Sequence, residues 1–185
     1  MYKKSIFWFR QDLRTFDNKW LIEAINNSES LLPIFILDKN IIPDFLWFTD
    51  KKFLFLKEAL LNLDLELKKI WWKLTIYHDY PEKIIPEICT KHEINTIFTN
   101  KSYSIYWKNR DKNIITFCLK NNIDFLSSND FLLIEPEEIE QRKVFTPYYK
   151  LWQKKLNEKW YKIETPVNFK QIDIDFDINK FLDEK

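Results

Sequence analysis

Arg10, Asp12 and Arg14 alternate along WFRQDLRTFDN, residues 8–18, and Asp17 and Asn18 close the segment. Cations and carboxylates two residues apart can form charge-assisted pairs, which are shorter and stronger than neutral hydrogen bonds. Such pairs would fix a loop. An Asp-Asn pair can satisfy the first free amides of a following helix. Polar groups recur after later apolar runs, at 38–40, 78–80 and 100–106. Metal chemistry lacks its residues. His78 and His92 are scattered, and neither Cys89 nor Cys118 has a neighbouring cysteine or a metal-ligand spacing. Glu135, Glu137, Glu138 and Glu140 read as a solvated acidic face.

These groups need a scaffold, and the apolar pattern supplies one. Strands are expected at Ser5–Phe9, Leu31–Leu37, Leu74–Tyr77, Thr96–Thr99 and Ile123–Leu126. Helices are expected at about 18–28, 51–70, 81–91 and 106–121, with Asp50 as the cap of the second and Pro81 opening the third. Strand–helix alternation predicts an α/β fold, a Rossmann-like five-stranded parallel sheet with helices on both faces. Ligands of such sheets bind beyond the carboxyl ends of the strands, near the switch in strand order. That rim holds Arg10–Asp12, Asp38–Asn40, His78–Tyr80 and Asn100–Tyr106. After about residue 128 the pattern weakens. From Pro166 the chain reads as an acidic, loosely structured tail.

Composition narrows the classes. The 185 residues weigh 22.9 kDa, one domain's worth. The net charge of +1 gives no footprint for wholesale nucleic-acid binding. Two isolated cysteines suit a reduced, cytoplasmic setting. The first apolar run is too short, and too broken by Arg10, Asp12 and Arg14, for a signal peptide. No uninterrupted apolar stretch is long enough to span a membrane.

Two motifs carry more. WFRQDLRTFDN resembles the N-terminal signature of the DNA photolyase/cryptochrome family, W-[FH]-R-x-D-L-R-x-x-D-N. VFTPYYKLW, residues 144–152, resembles that family's VFTPYxKxW segment. Asp111 in NRDKNI, the FLSSNDFLLIEPEEI stretch and ILD after the second strand fall in family order. The likeness covers about 1–155. It implies a family-type α/β domain over 1–130, the FTPYxKxW segment and the start of a linker over 131–165, and a tail over 166–185. Trp8, Phe9, Arg10, Asp12, Arg14, Asp17 and Asn18 would be structural signature residues. So would Phe145, Thr146, Pro147, Tyr148, Lys150 and Trp152.

The resemblance implies an antenna domain that passes excitation to FAD. Its chromophore would be a deazaflavin, a flavin or a folate, held by Phe35, Ile36, Leu37, Asp38, Lys52, Asn100, Ser102 and Tyr103. The Asp38 region is closer to the deazaflavin or flavin type. Folate binders place an acidic residue near position 107 and deazaflavin binders one near 102, whereas this chain has Trp107 and Ser102. The helical domain that binds FAD and receives the flipped pyrimidine dimer is expected outside this chain, in cis or in trans. Contact with damaged DNA would come through that domain, and this fragment alone would not be catalytic. A cryptochrome-like blue-light receptor domain is the nearest alternative. A stand-alone nucleotide-binding or signalling domain, or a non-catalytic remnant, is the alternative of another class.

Glycine is missing altogether, against eight tryptophans. Average usage predicts about 13 glycines, and drawing none has odds on the order of one in a million. Family members often carry glycine at the positions of Trp20 (or alanine there), Trp71 and Trp107. The expectation is that the source reads UGA as glycine, with Trp20, Trp71, Trp72 and Trp107 as the affected sites. Trp47 and Trp160 are ambiguous on this point.

Overall fold

Five apolar runs pair as parallel strands because helices carry the chain back between them. The computed structural model describes residues 1–43, 51–70, 72–129, 132–158, 165–166 and 170–183. The elements run β1 (Ser5–Phe9), α1 (Lys19–Asn27), β2 (Leu31–Leu37), α2 (Lys51–Lys68), β3 (Thr75–His78), α3 (Pro81–His92), β4 (Thr96–Asn100), α4 (Ile105–Lys120), β5 (Asp124–Ser128), α5 (Phe145–Glu158) and α6 (Ile178–Asp183). The sheet order is β3-β2-β1-β4-β5. The order reverses at β1, which lies between β2 and β4. The sequence pattern predicted this doubly wound parallel sheet.

Alternation within the strands feeds two cores. Phe7, Phe9, Phe35 and Leu37 pack with α1 and α2 residues such as Leu21 and Leu60. Ile6, Trp8, Ile34 and Ile36 pack with Ile85 and Ile88 of α3 and Ile114 of α4. Each face of the sheet is thus covered by a helical layer. Strands buried on both faces read as continuous apolar runs, which is what β1 and β2 are.

Helix ends follow side-chain chemistry. Asn18 caps α1, its side chain accepting from the Leu21 amide at 3.1 Å. Asp17, expected to share that role, instead adopts a left-handed φ of 51°, and its carbonyl accepts from Arg14 at 3.0 Å. Ser104 caps α4, accepting from the Trp107 amide at 3.3 Å. Asp50, the expected cap of α2, lies outside the described residues, as do Trp47, Trp71 and Trp160.

The stretch expected to be a loose acidic tail is packed over 170–183. The Leu31 amide donates to the Lys170 carbonyl at 3.1 Å, and the Ile172 amide donates to Leu31 at 3.0 Å. The Gln171 amide side chain bonds both the N–H and the C=O of Lys73, at 2.8 and 3.0 Å. Ile178 and Leu182 of α6 are buried beside α2. The acidic residues Asp173, Asp175 and Asp177 alternate with Ile172, Ile174 and Phe176, which pack on the two cores. That period of two marks a half-buried extended segment. Net acidity obscured it.

Candidate functional site

The carboxyl ends of β1 and β2, faced by α4, enclose a cavity of about 360 Å³. This is within the usual range for small-molecule sites. Phe35 and Ile36 of β2 and Trp8 and Phe9 of β1 supply apolar wall, with Ile41, Ile42 and Leu56. Arg10, Asp38, Trp107 and Arg110 supply its polar and aromatic rim.

The rim is held by buried ion pairs. Arg10 donates to both oxygens of Asp111 at 2.8 Å, and to the Asn100 carbonyl at 3.2 Å. Arg110 lies 3.2 Å from Asp111 and 3.7 Å from Asp38. Both guanidiniums sit over the Trp8 ring, at 4.2 and 4.5 Å from its centroid. Tyr106 donates to Asp38 at 2.6 Å and accepts from Asn40 at 3.0 Å. Burial lowers the Arg10 pKa to about 10, against the opposing pull of Asp111. Burial, then the bond to Asp38, raises the Tyr106 hydroxyl to about 12. Two arginines face two aspartates, so the rim carries no net formal charge. Such a slot suits a planar, uncharged ring system.

A smaller notch lies beside the cavity, at the switch between β1 and β4. It encloses about 10 Å³, the room of one water. Arg10, Gln11 and Trp107 line both spaces. Asp12, which lines it, accepts from the Arg10 amide at 2.9 Å, from Asn100 at 2.6 Å and from Asn18 at 3.3 Å. The pairing expected inside the Arg10–Arg14 loop is therefore different. Asp12 ties the loop to β4 and α1, and Arg10 reaches across to α4.

The predicted ligand residues divide. Phe35, Ile36 and Asp38 line the cavity, and Asn100 and Ser102 line the notch. Leu37 is fully buried in the α1–α2 core. Lys52 is exposed on α2 and lines neither space. Tyr103 donates to Glu135 at 2.7–2.8 Å, and neither residue lines the cavity or the notch. Glu135 is buried and caps a short 3-10 turn, so it does not belong to a solvated face. Sequence reasoning missed Arg110 and the cavity side of Trp107. The Arg-Asp pair within an amphipathic helix was the available signal. Phe145, Thr146, Pro147, Tyr148, Lys150 and Trp152 all lie on α5, where Phe145, Tyr149 and Trp152 stack in a row at 5.7 and 6.3 Å.

A doubly wound α/β domain with a cavity at the strand switch is the class that this fold and site define. The DNA photolyase family model matches residues 5–167, and the chain belongs to that family. A deoxyribodipyrimidine photo-lyase of Buchnera aphidicola subsp. Baizongia pistaciae is 34% identical over 141 residues, covering 74% of this chain and 29% of the relative. A chloroplastic/mitochondrial cryptochrome DASH of Solanum lycopersicum is 32% identical over 102 residues, covering 52% of this chain and 18% of the relative. Among solved structures, an archaeal photolyase from Sulfolobus tokodaii with two FAD molecules superposes with a TM-score of 0.82 at 27% identity, covering 98% of this chain and 41% of that one. The fold is that of the family's N-terminal α/β domain. The chain spans under a third of the length of these two curated relatives. No helix among the described residues is long and apolar enough to cross a membrane.

Proposed function

We propose that this chain is the antenna-bearing domain of a deoxyribodipyrimidine photo-lyase. The cavity holds a flavin or deazaflavin, and excitation passes to FAD in a second domain, joined in cis or in trans. The carrying observation is the apolar cavity between Phe35, Ile36 and Trp8, rimmed by Arg10 and Arg110. Its fit to a flat heteroaromatic ring is supported by its mainly apolar walls and by the paired charges of its rim, Arg10 with Asp111 and Arg110 with Asp38. The Sulfolobus tokodaii photolyase contains two FAD molecules, with the implication of a novel light-harvesting cofactor. A bound chromophore would supply absorption of near-UV or blue light. The chain's own residues bind and orient it. Apolar walls exclude water, the Arg10–Asp111 pair fixes the rim, and Tyr106 holds Asp38 at the edge.

Cryptochrome photoreception is the second reading, favoured by relatives of that name. A chimera tests the antenna role. This chain would replace the corresponding domain of the Sulfolobus tokodaii photolyase, and dimer repair would be followed as a function of wavelength. The photolyase reading expects repair with an absorption band added to that of FAD, and Ile36→Trp removing that band. Repair with no added band would overturn the antenna role.

A further inference from the structure

We propose that Trp107 is the partition that sets how far a ligand reaches into the site. The inference rests on the antenna reading above.

Trp107 lines the main cavity and the notch alike. Its ring is half-buried, with the Arg110 guanidinium 6.0 Å from its centroid. Arg110 is itself stacked on Trp8 and paired with Asp111 and Asp38, so the indole stands against an immobilised neighbour. With the indole in place, the notch admits one water and no ligand edge.

The notch is nonetheless equipped. Beside Asp12, whose carboxylate is already engaged by Arg10, Asn18 and Asn100, and Lys101, the notch is lined by Arg10, Asn100 and Ser102, whose side chains are more than nine-tenths buried and each carry an unpaired polar atom. Arg10 Nε–H and the Ser102 hydroxyl are donors, and Asn100 Oδ1 is an acceptor. Two donors and one acceptor complement an imide edge, two carbonyls flanking an N–H. Unmet buried groups are costly, and one water in so small a space satisfies them only in part. Removing the indole would join notch and cavity at the sheet's switch point, where ligands of this fold class bind. Residue 107 thereby decides whether the site reads only a ring face or also an imide edge.

The test compares the wild-type chain with Trp107→Gly and Trp107→Ala. Riboflavin and N3-methylriboflavin would be titrated into each, with flavin fluorescence as the readout and a thermal melt to check folding. The alanine variant keeps the test informative if glycine unsettles α4. The wild type is expected to bind both flavins within about twofold of each other. The variants should prefer riboflavin by about tenfold or more, because an occupied hydrogen-bonding site rejects an analogue that leaves it unpaired. An unchanged ratio in variants that fold and bind would overturn the partition and leave the antenna reading standing. Absence of binding by all three proteins would overturn both.

Discussion

Arg10 and Asp111 face each other through two parallel 2.8 Å bonds, although 101 residues of chain separate them. The pair fastens the end of β1 to α4 and so sets the width of the cavity between them. The side chains are 7% and 16% exposed, so the charges are largely desolvated. Removing one partner strands the other, which costs about 3 kcal/mol. Asp111→Asn should therefore lower the urea midpoint markedly. An apolar double replacement, Arg10→Met with Asp111→Leu, should be less damaging than the single change. Equal loss in both would show that the pair itself, and not the stranded charge, carries the stability.

Tyr106 reports on the acid end of the rim. Its hydroxyl is raised to about 12 by burial and by the bond to Asp38. An unfolded tyrosine loses its proton near 10. Between those values the folded chain keeps a proton that the unfolded chain has lost, so stability from this group falls as pH rises through that window. Tyrosinate absorbance should show a late-titrating component that shrinks by one tyrosine in Tyr106→Phe, the remainder belonging to Tyr77 and Tyr103, which burial also raises. Persistence of the full late component in that variant would contradict the contact.

Leu182 tests whether the C-terminal segment belongs to the core. It is 1% exposed on α6, and the α2 side chain Lys57 donates to its carbonyl at 3.3 Å. Leu182→Ala should cost about 3 kcal/mol, as buried leucine truncations do. A change below ~0.5 kcal/mol in chemical denaturation, the size of a surface substitution, would mean that 170–183 is an appendage after all.

The end of α2 bears on the absence of glycine. The Trp72 amide donates to the Leu67 carbonyl at 3.0 Å, a six-to-one closure. Ile94 closes on Cys89 and Ile123 on Cys118 in the same way, both at 3.0 Å. In those two helices the residue before the donor, Glu93 or Asn122, is left-handed, with φ of 56° and 54°. The corresponding position in the first, 71, lies outside the described residues. The recoding expectation gives a tryptic peptide of the natural protein reading Ile-Gly-Gly-Lys, or Ile-Gly-Trp-Lys if position 72 is tryptophan; Ile-Trp-Trp-Lys would refute it at this site. Trp72 is fully buried in the core, so glycine there would leave a large void. Packing argues for tryptophan at 72, against the expectation. Trp20 and Trp107 sit in α1 and α4 and are absent from the left-handed residues, so their backbones do not demand glycine.

Local periodicity made the five strands and the helices between them legible, because each buries a face that repeats at short range. The site was legible only as a rim. Asp38 follows from the strand-end rule, and Phe35 and Ile36 from the family resemblance, whereas Leu37, on the same face as Phe35, is fully buried in the core and Lys52 stays outside. Arg110 and Trp107 reach the cavity through the docking of α4 on the sheet, of which the Arg-Asp pair in the helix was the one local sign. Residues 170–183 were missed because their alternating aspartates masked the apolar positions between them. Glu135 was missed because a run of four glutamates hid the one that turns inward to Tyr103.

The most direct test is a fluorescence-anisotropy titration of riboflavin with the purified chain, beside Ile36→Trp, in which the cavity is filled. The account predicts saturable one-to-one binding by the wild type and at least a tenfold weaker affinity in the filled variant. Binding that survives in Ile36→Trp, or a wild type that takes up neither riboflavin nor a deazaflavin, would contradict a chromophore site at the ends of β1 and β2.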